Sequence, residues 1–132
     1  MVQSDVDRLL DGRTVAVPGL GGNTARPAFG VAEYLQRNGY RIVPIHPTAT
    51  EVLGEKVYRT LVDVPFDIDV VDVFRRAEFL GEVVEDAIAK GVKVGIWGQL
   101  KVIDEGAAER ARAAGMIVVM DLCMKVEHQR RR

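Results

Sequence analysis

Short apolar runs alternate along the chain with segments of helical periodicity. Thr14-Val15-Ala16-Val17 stops at Pro18-Gly19, and Arg41-Ile42-Val43-Pro44-Ile45 stops at His46-Pro47. Three more runs follow, from Ile68 to Phe74, from Val92 to Trp97 and from Met116 to Met120. Several are β-branched and nearly continuous in apolar residues, the pattern of strands covered on both faces. Between them, Ala28, Val31, Ala32 and Leu35 share one face of a helix that Gly39 would close. Leu80, Val83, Val84, Ala87 and Ile88 repeat the spacing up to Gly91. Asp104 is placed to cap a helix carrying Ala107, Ala108, Ala111 and Ala114 to Gly115, and Ser4 to cap a short helix ending near Gly12. The stretch 48–67 shows neither period. It reads as a helical turn around Thr50 to Leu53, then a loop with Pro65.

Strands alternating with helices predict βαβ units and a parallel sheet. The expected fold is α/β: a single Rossmann-like doubly wound domain over residues 1–132, with a five-stranded parallel sheet and helices on both faces. Right-handed crossovers leave few topologies. The order 3-2-1-4-5 is favoured, and the flavodoxin-like order 2-1-3-4-5 is the alternative. In both, ligands bind beyond the carboxyl ends of the strands, at the topological switch point.

Composition narrows the classes of function. The chain has 132 residues, 48% hydrophobic and 28% charged, enough apolar surface to order one domain. Its 18 Lys and Arg nearly balance 19 Asp and Glu, which argues against a polycation that coats nucleic acid or an anionic membrane. Cys123 is the sole cysteine, so no intramolecular disulfide forms, which fits a reducing, cytoplasmic setting. The stretch Met1 to Asp7 is acidic and polar, unlike the basic start of a signal peptide. No apolar run approaches the roughly 18 residues of a spanning helix.

The candidate chemistry lies just after each strand. The first is followed by Gly19-Leu20-Gly21-Gly22-Asn23-Thr24-Ala25-Arg26-Pro27. Such a turn, opening a helix whose first N–H groups are free, suits a phosphate or pyrophosphate, with Arg26 as a charged fork. The plainer alternative is a glycine-rich βα turn. Thr24 stands where a dinucleotide fingerprint needs glycine, and the Gly-Lys-Ser/Thr of a Walker A loop is missing. The second strand ends in His46, where an NAD site usually has an acid for the ribose hydroxyls. Arg75 and Arg76 follow the third strand, within which Asp72 needs a hydrogen-bond partner. A receiver-domain phosphoacceptor would occupy that place, but receivers also need paired acids after the first strand. Gln99 follows the fourth strand. After the fifth, Cys123 and His128 are too few for a zinc site, and a nucleophilic Cys123 would also need an oriented base, so catalysis by Cys123 is disfavoured. Gln129 to Arg132 read as a solvated tail.

At these residues the sequence resembles the small stand-alone CoA-binding proteins of bacteria and archaea, over nearly the whole chain. The resemblance rests on Gly19-Leu20 with Arg26-Pro27, Pro44-Ile45-His46-Pro47, Gly54-Glu55-Lys56-Val57-Tyr58, Asp69 to Arg76, Trp97 with Gln99-Leu100, and Asp121 to His128. That family is similar to the N-terminal CoA-binding domain of the succinyl-CoA synthetase α subunit. The resemblance implies non-catalytic binding of coenzyme A or an acyl-CoA, with no established catalytic activity. It places Gly19, Leu20, Gly21, Gly22, Asn23 and Arg26 around the phosphates, and His46 and Pro47 at the adenosine end. Val73, Phe74 and Arg75 flank the pyrophosphate or pantetheine, and Gln99 lies by the pantetheine arm. Gly21 and Ala28 stand where many relatives have Ser, His46 where Asn is frequent, and Lys101 where Gly is common. Two other classes stay open: an NAD(P)- or nucleotide-dependent enzyme subunit that needs a partner chain, and a flavodoxin-like protein-interaction domain. A protein partner or homo-oligomer is compatible with all three.

Overall fold

The computed structural model describes residues 4–132. The first three, part of the stretch read above for a signal peptide, lie outside the described residues. The elements in chain order are α1 (Asp5–Leu10), β1 (Thr14–Pro18), α2 (Pro27–Arg37), β2 (Arg41–Ile45), β3 (Glu51–Val52), β4 (Glu55–Lys56), β5 (Val70–Val73), α3 (Leu80–Lys90), β6 (Gly95–Gly98), α4 (Glu105–Ala113), β7 (Ile117–Val119) and α5 (Met124–Arg130). A 3₁₀ turn, Ala77–Phe79, leads into α3. The caps follow the sequence. The Ser4 hydroxyl accepts from Asp7 N–H at 3.1 Å, and the Asp104 carboxylate from Ala107 N–H at 3.1 Å. Gly39, Gly91 and Gly115 sit at φ 93°, 77° and 92° just past their helices.

Five parallel strands form the main sheet in the order β2-β1-β5-β6-β7. One apolar layer, with Val71, Val73 and Ile96, packs under α3 and α4. The other, with Val15, Val17 and Trp97, packs under α1, α2 and α5. The sheet is therefore doubly wound and Rossmann-like, but its five strands follow 2-1-3-4-5 and not the favoured 3-2-1-4-5. The outer edge of β2 is already taken. Tyr58 N–H donates to Pro44 O at 3.0 Å, and His46 N–H donates to Tyr58 O at 3.0 Å. β5 must pair on the far side of β1 instead. If the Tyr58 bridge is counted as a rudimentary strand, the order becomes 3-2-1-4-5-6, the dinucleotide-fold order.

The segment that makes this crossing also corrects the sequence reading. The helical turn expected at Thr50 to Leu53 is an antiparallel hairpin, β3 paired with β4. Leu53 and Gly54 lie at φ 55° and 75°, both left-handed, as a two-residue hairpin turn requires. Beyond it, Leu61, Val64 and Ile68 are buried under the α3 face, where another fold of this type would place a helix.

The C-terminus differs as well. Residues read as a solvated tail form part of α5. Its first N–H, on Met124, donates to the side-chain oxygen of Gln99 at 3.0 Å, a cap supplied 25 residues upstream. Arg131 bonds the carboxylates of both Asp7 and Glu127, tying α5 to α1. Asp7 is held below the ordinary carboxylate value by its bonds to Ser4 and Arg131. His128 Nδ1 lies 2.7 Å from the Tyr34 hydroxyl, and its ring meets the rings of Tyr34 and Tyr40 edge-on.

Candidate functional site

The carboxyl ends of β1, β2 and β5 open into two clefts. The first, of about 360 Å³, runs over the start of α2 and is lined by Gly19, Arg26, Phe74, Arg75 and Phe79, among others. The second, of about 390 Å³, lies on the α3 side and is lined by Gly19, His46, Pro47, Arg59, Arg75 and Asp86, among others. Pro18, Gly19 and Arg75 belong to both, so the clefts meet over the end of β1. This is where β2 and β5 diverge to either side of β1, the switch point expected to hold a ligand.

The loop between the clefts is built to present N–H groups. Gly19 turns at φ 85°, which needs glycine, and its N–H is used by Ile45 O at 2.7 Å. The Asn23 side-chain oxygen accepts from Ala25 N–H at 3.0 Å, and Arg26 N–H donates to Asn23 O at 3.2 Å. This local turn delivers the chain to Pro27 at the head of α2. The N–H groups of Gly21, Gly22, Asn23, Thr24 and Ala28 donate to no group among the described residues. Together with the positive end of α2 they form a donor cradle for an anion.

Cations surround it. Arg26 and Arg75 are exposed, and neither has a carboxylate within ion-pair distance among the described residues. The Arg75 guanidinium lies 4.3 Å from the centroid of the Phe79 ring, which fixes it at the cleft wall. Arg76 is partly neutralised by Glu78 at 3.4 Å.

The structure sorts the residues named from the sequence. Gly19, Arg26, Phe74 and Arg75 line the first cleft, and Gly19, His46, Pro47 and Arg75 the second. Gly21, Gly22 and Asn23 form the loop rim. Leu20 and Val73 turn their side chains into the core, 1% and 0% exposed, and offer a ligand only backbone. Gln99 is buried, and its side-chain oxygen is used at α5. Cys123 is half-buried at the start of α5.

Asp72 departs from expectation. It is fully buried, and neither carboxylate oxygen has a hydrogen-bond partner among the described residues. Desolvation pushes its carboxyl well above the ordinary value of 3.8. A phosphoacceptor must reach solvent, and this side chain does not.

Arg59, Phe79 and Asp86 also line the clefts, and nothing in the local sequence marks them. Arg59 and Asp86 come from segments far from the glycine loop, and only the crossover to β5 brings them to it. Lys101 has φ 67°, in the left-handed region that favours glycine; its N–H donates to the Asp121 carboxylate at 2.8 Å.

Fold and site together define a Rossmann-like α/β domain with a βα loop at its switch point that presents N–H donors with no partner among the described residues. Residues 13–129 match the CoA binding domain family, and the chain belongs to that family. It is 37% identical over 116 residues to the uncharacterized protein YneT of Bacillus subtilis, covering 88% of this chain and 85% of that one. It is 30% identical over 91 residues to the ADP-forming acetate–CoA ligase II of Archaeoglobus fulgidus, covering 67% of this chain but only 14% of the ligase. A hypothetical protein from Pyrococcus horikoshii superposes with a TM-score of 0.88 at 37% identity, covering 97% of this chain and 92% of that one. No helix among the described residues is long and apolar enough to cross a membrane.

Proposed function

We propose that the chain binds coenzyme A or an acyl-CoA, without catalysis, in the paired clefts, residues 1–132 acting as one binding domain in a reducing, cytoplasmic setting. The observation that carries this reading is the set of loop N–H groups that have no partner among the described residues, flanked by Arg26 and Arg75 where two clefts meet. The pyrophosphate lies over the loop and the start of α2. The adenosine end enters the cleft of His46 and Pro47, and pantetheine leaves past Phe74 and Phe79. A donor instead of an acid at the end of β2 suits a phosphorylated ribose better than free ribose hydroxyls.

Thermal unfolding with CoA, dephospho-CoA, NAD, NADP and ATP in parallel tests the assignment. CoA at 100 times its dissociation constant adds about 2.7 kcal/mol, on the order of 5–15 °C in Tm. The expected result is a shift with CoA, smaller with dephospho-CoA and absent with NAD. A shift with NAD(P) alone would favour a nucleotide-dependent enzyme subunit, and no shift with any ligand would favour a protein-interaction domain.

A further inference from the structure

Gly21 is a glycine for a reason that lies outside its own backbone. Its φ is not left-handed, so the backbone itself does not call for glycine there. A Cβ at this position would instead lie 2.9 Å from His46 Nε2 and 3.0 Å from His46 Cδ2. The imidazole occupies the space that a side chain at 21 would fill. The ring is also fixed from its other side. Its Nδ1 accepts from Thr48 N–H at 3.2 Å and from Ala49 N–H at 3.0 Å. With Nδ1 used as an acceptor, the neutral ring carries its proton on Nε2, facing the loop.

The turn that supplies those two N–H groups is held by Arg59. One guanidinium nitrogen donates to His46 O at 2.8 Å and to Ala49 O at 2.6 Å, and the other reaches Thr48 O at 3.5 Å. Arg59 therefore closes the 46–49 turn from the carbonyl side while His46 closes it from the amide side.

We propose that Arg59 is a positioning residue that locks His46 as an Nε2–H donor over Gly21, and that this donor takes a phosphomonoester on the ribose of the bound nucleotide. The ligand half of this rests on the CoA reading above. The phosphomonoester follows from the chemistry of the cleft. An acid at the end of the second strand accepts from ribose hydroxyls, whereas here that position offers a fixed N–H donor flanked by the cations Arg59 and Arg75. Asp86 lines the same cleft but makes no ion pair with either arginine among the described residues.

The chain has only His46 and His128, so long-range ¹⁵N–¹H spectra of the ligand-free protein read each ring separately. The wild type shows His46 as a single Nε2–H tautomer. Arg59→Ala and Gly21→Ser each shift it or mix the tautomers, while His128 stays unchanged. Identical His46 signals in the wild type and both variants would overturn the positioning role, whatever binds. In titrations, His46→Ala and Arg59→Ala each weaken CoA binding about tenfold or more. The double variant loses no more than the worse single one, and the preference for CoA over dephospho-CoA collapses in each. Equal losses for CoA and dephospho-CoA would remove the phosphomonoester assignment. Failure of the wild type to bind CoA would overturn the underlying reading while leaving the tautomer result standing.

Discussion

Asp72 lies in β5 opposite Trp97 of β6, with no hydrogen-bond partner for either carboxylate oxygen among the described residues. Because burial raises its pKa above the unfolded value of 3.8, the folded state holds a proton that the unfolded state releases. Its contribution to stability is complete below that value and is lost as pH rises toward the folded pKa. In urea titrations, the stability of the wild type relative to Asp72→Asn should therefore fall by about 1.4 kcal/mol per pH unit through this window. A pH-independent difference would show that Asp72 does not stay protonated. The sequence exposes such a residue only as an acid in an apolar run and cannot say whether a partner arrives from elsewhere. Gly21 is opaque for the same reason: its cause is a ring that follows it by 25 positions in the chain. Gly19, whose own φ demands glycine, stands in a recognisable βα turn.

Strands and helices with a strong period were legible, since β1, β2, α2, α3 and α4 fall close to where the apolar spacing places them. What failed was pairing and short structure. Strand order depends on which edge of β2 is free, and a single bridge at Tyr58 decides that. α5 buries only Met124 and Glu127, too few positions to show a period, and takes its cap from Gln99. A tight inter-strand contact is equally invisible. A Cβ on Gly95 would lie 1.9 Å from Ile117 O, its register partner in β7. Gly95→Ala must push β7 off the sheet, and a loss of about 3 kcal/mol or more in chemical denaturation is expected. Unchanged stability would mean that β7 can move outward freely.

Over the whole molecule, the two layers of helices leave the carboxyl ends of β1, β2 and β5 as the place where both clefts open. The parts of the site that were readable are those carried by strand ends. Those that were not, Arg59 and Asp86, come from segments brought in by tertiary packing. Arg75 is the cation common to both clefts. In calorimetric titrations, Arg75→Ala should weaken both CoA and its fragment 3′,5′-ADP by about 1.5–3 kcal/mol. Retention of full affinity for the fragment would confine Arg75 to the pantetheine side.

Trp97 is the chain's only tryptophan, wholly buried, with its indole N–H on Leu122 O at 2.8 Å. It is the register partner of Asp72 and packs in the same layer as Leu20, Ala28 and Met124. The molecule thus carries its own optical probe in the core layer that also holds Leu20 of the glycine loop. Ionisation of the neighbouring acid changes the electric field across the indole and so its emission wavelength, and a shift of α2 or α5 against the sheet changes the packing of the same fluorophore. Both events can be followed by light, without a label.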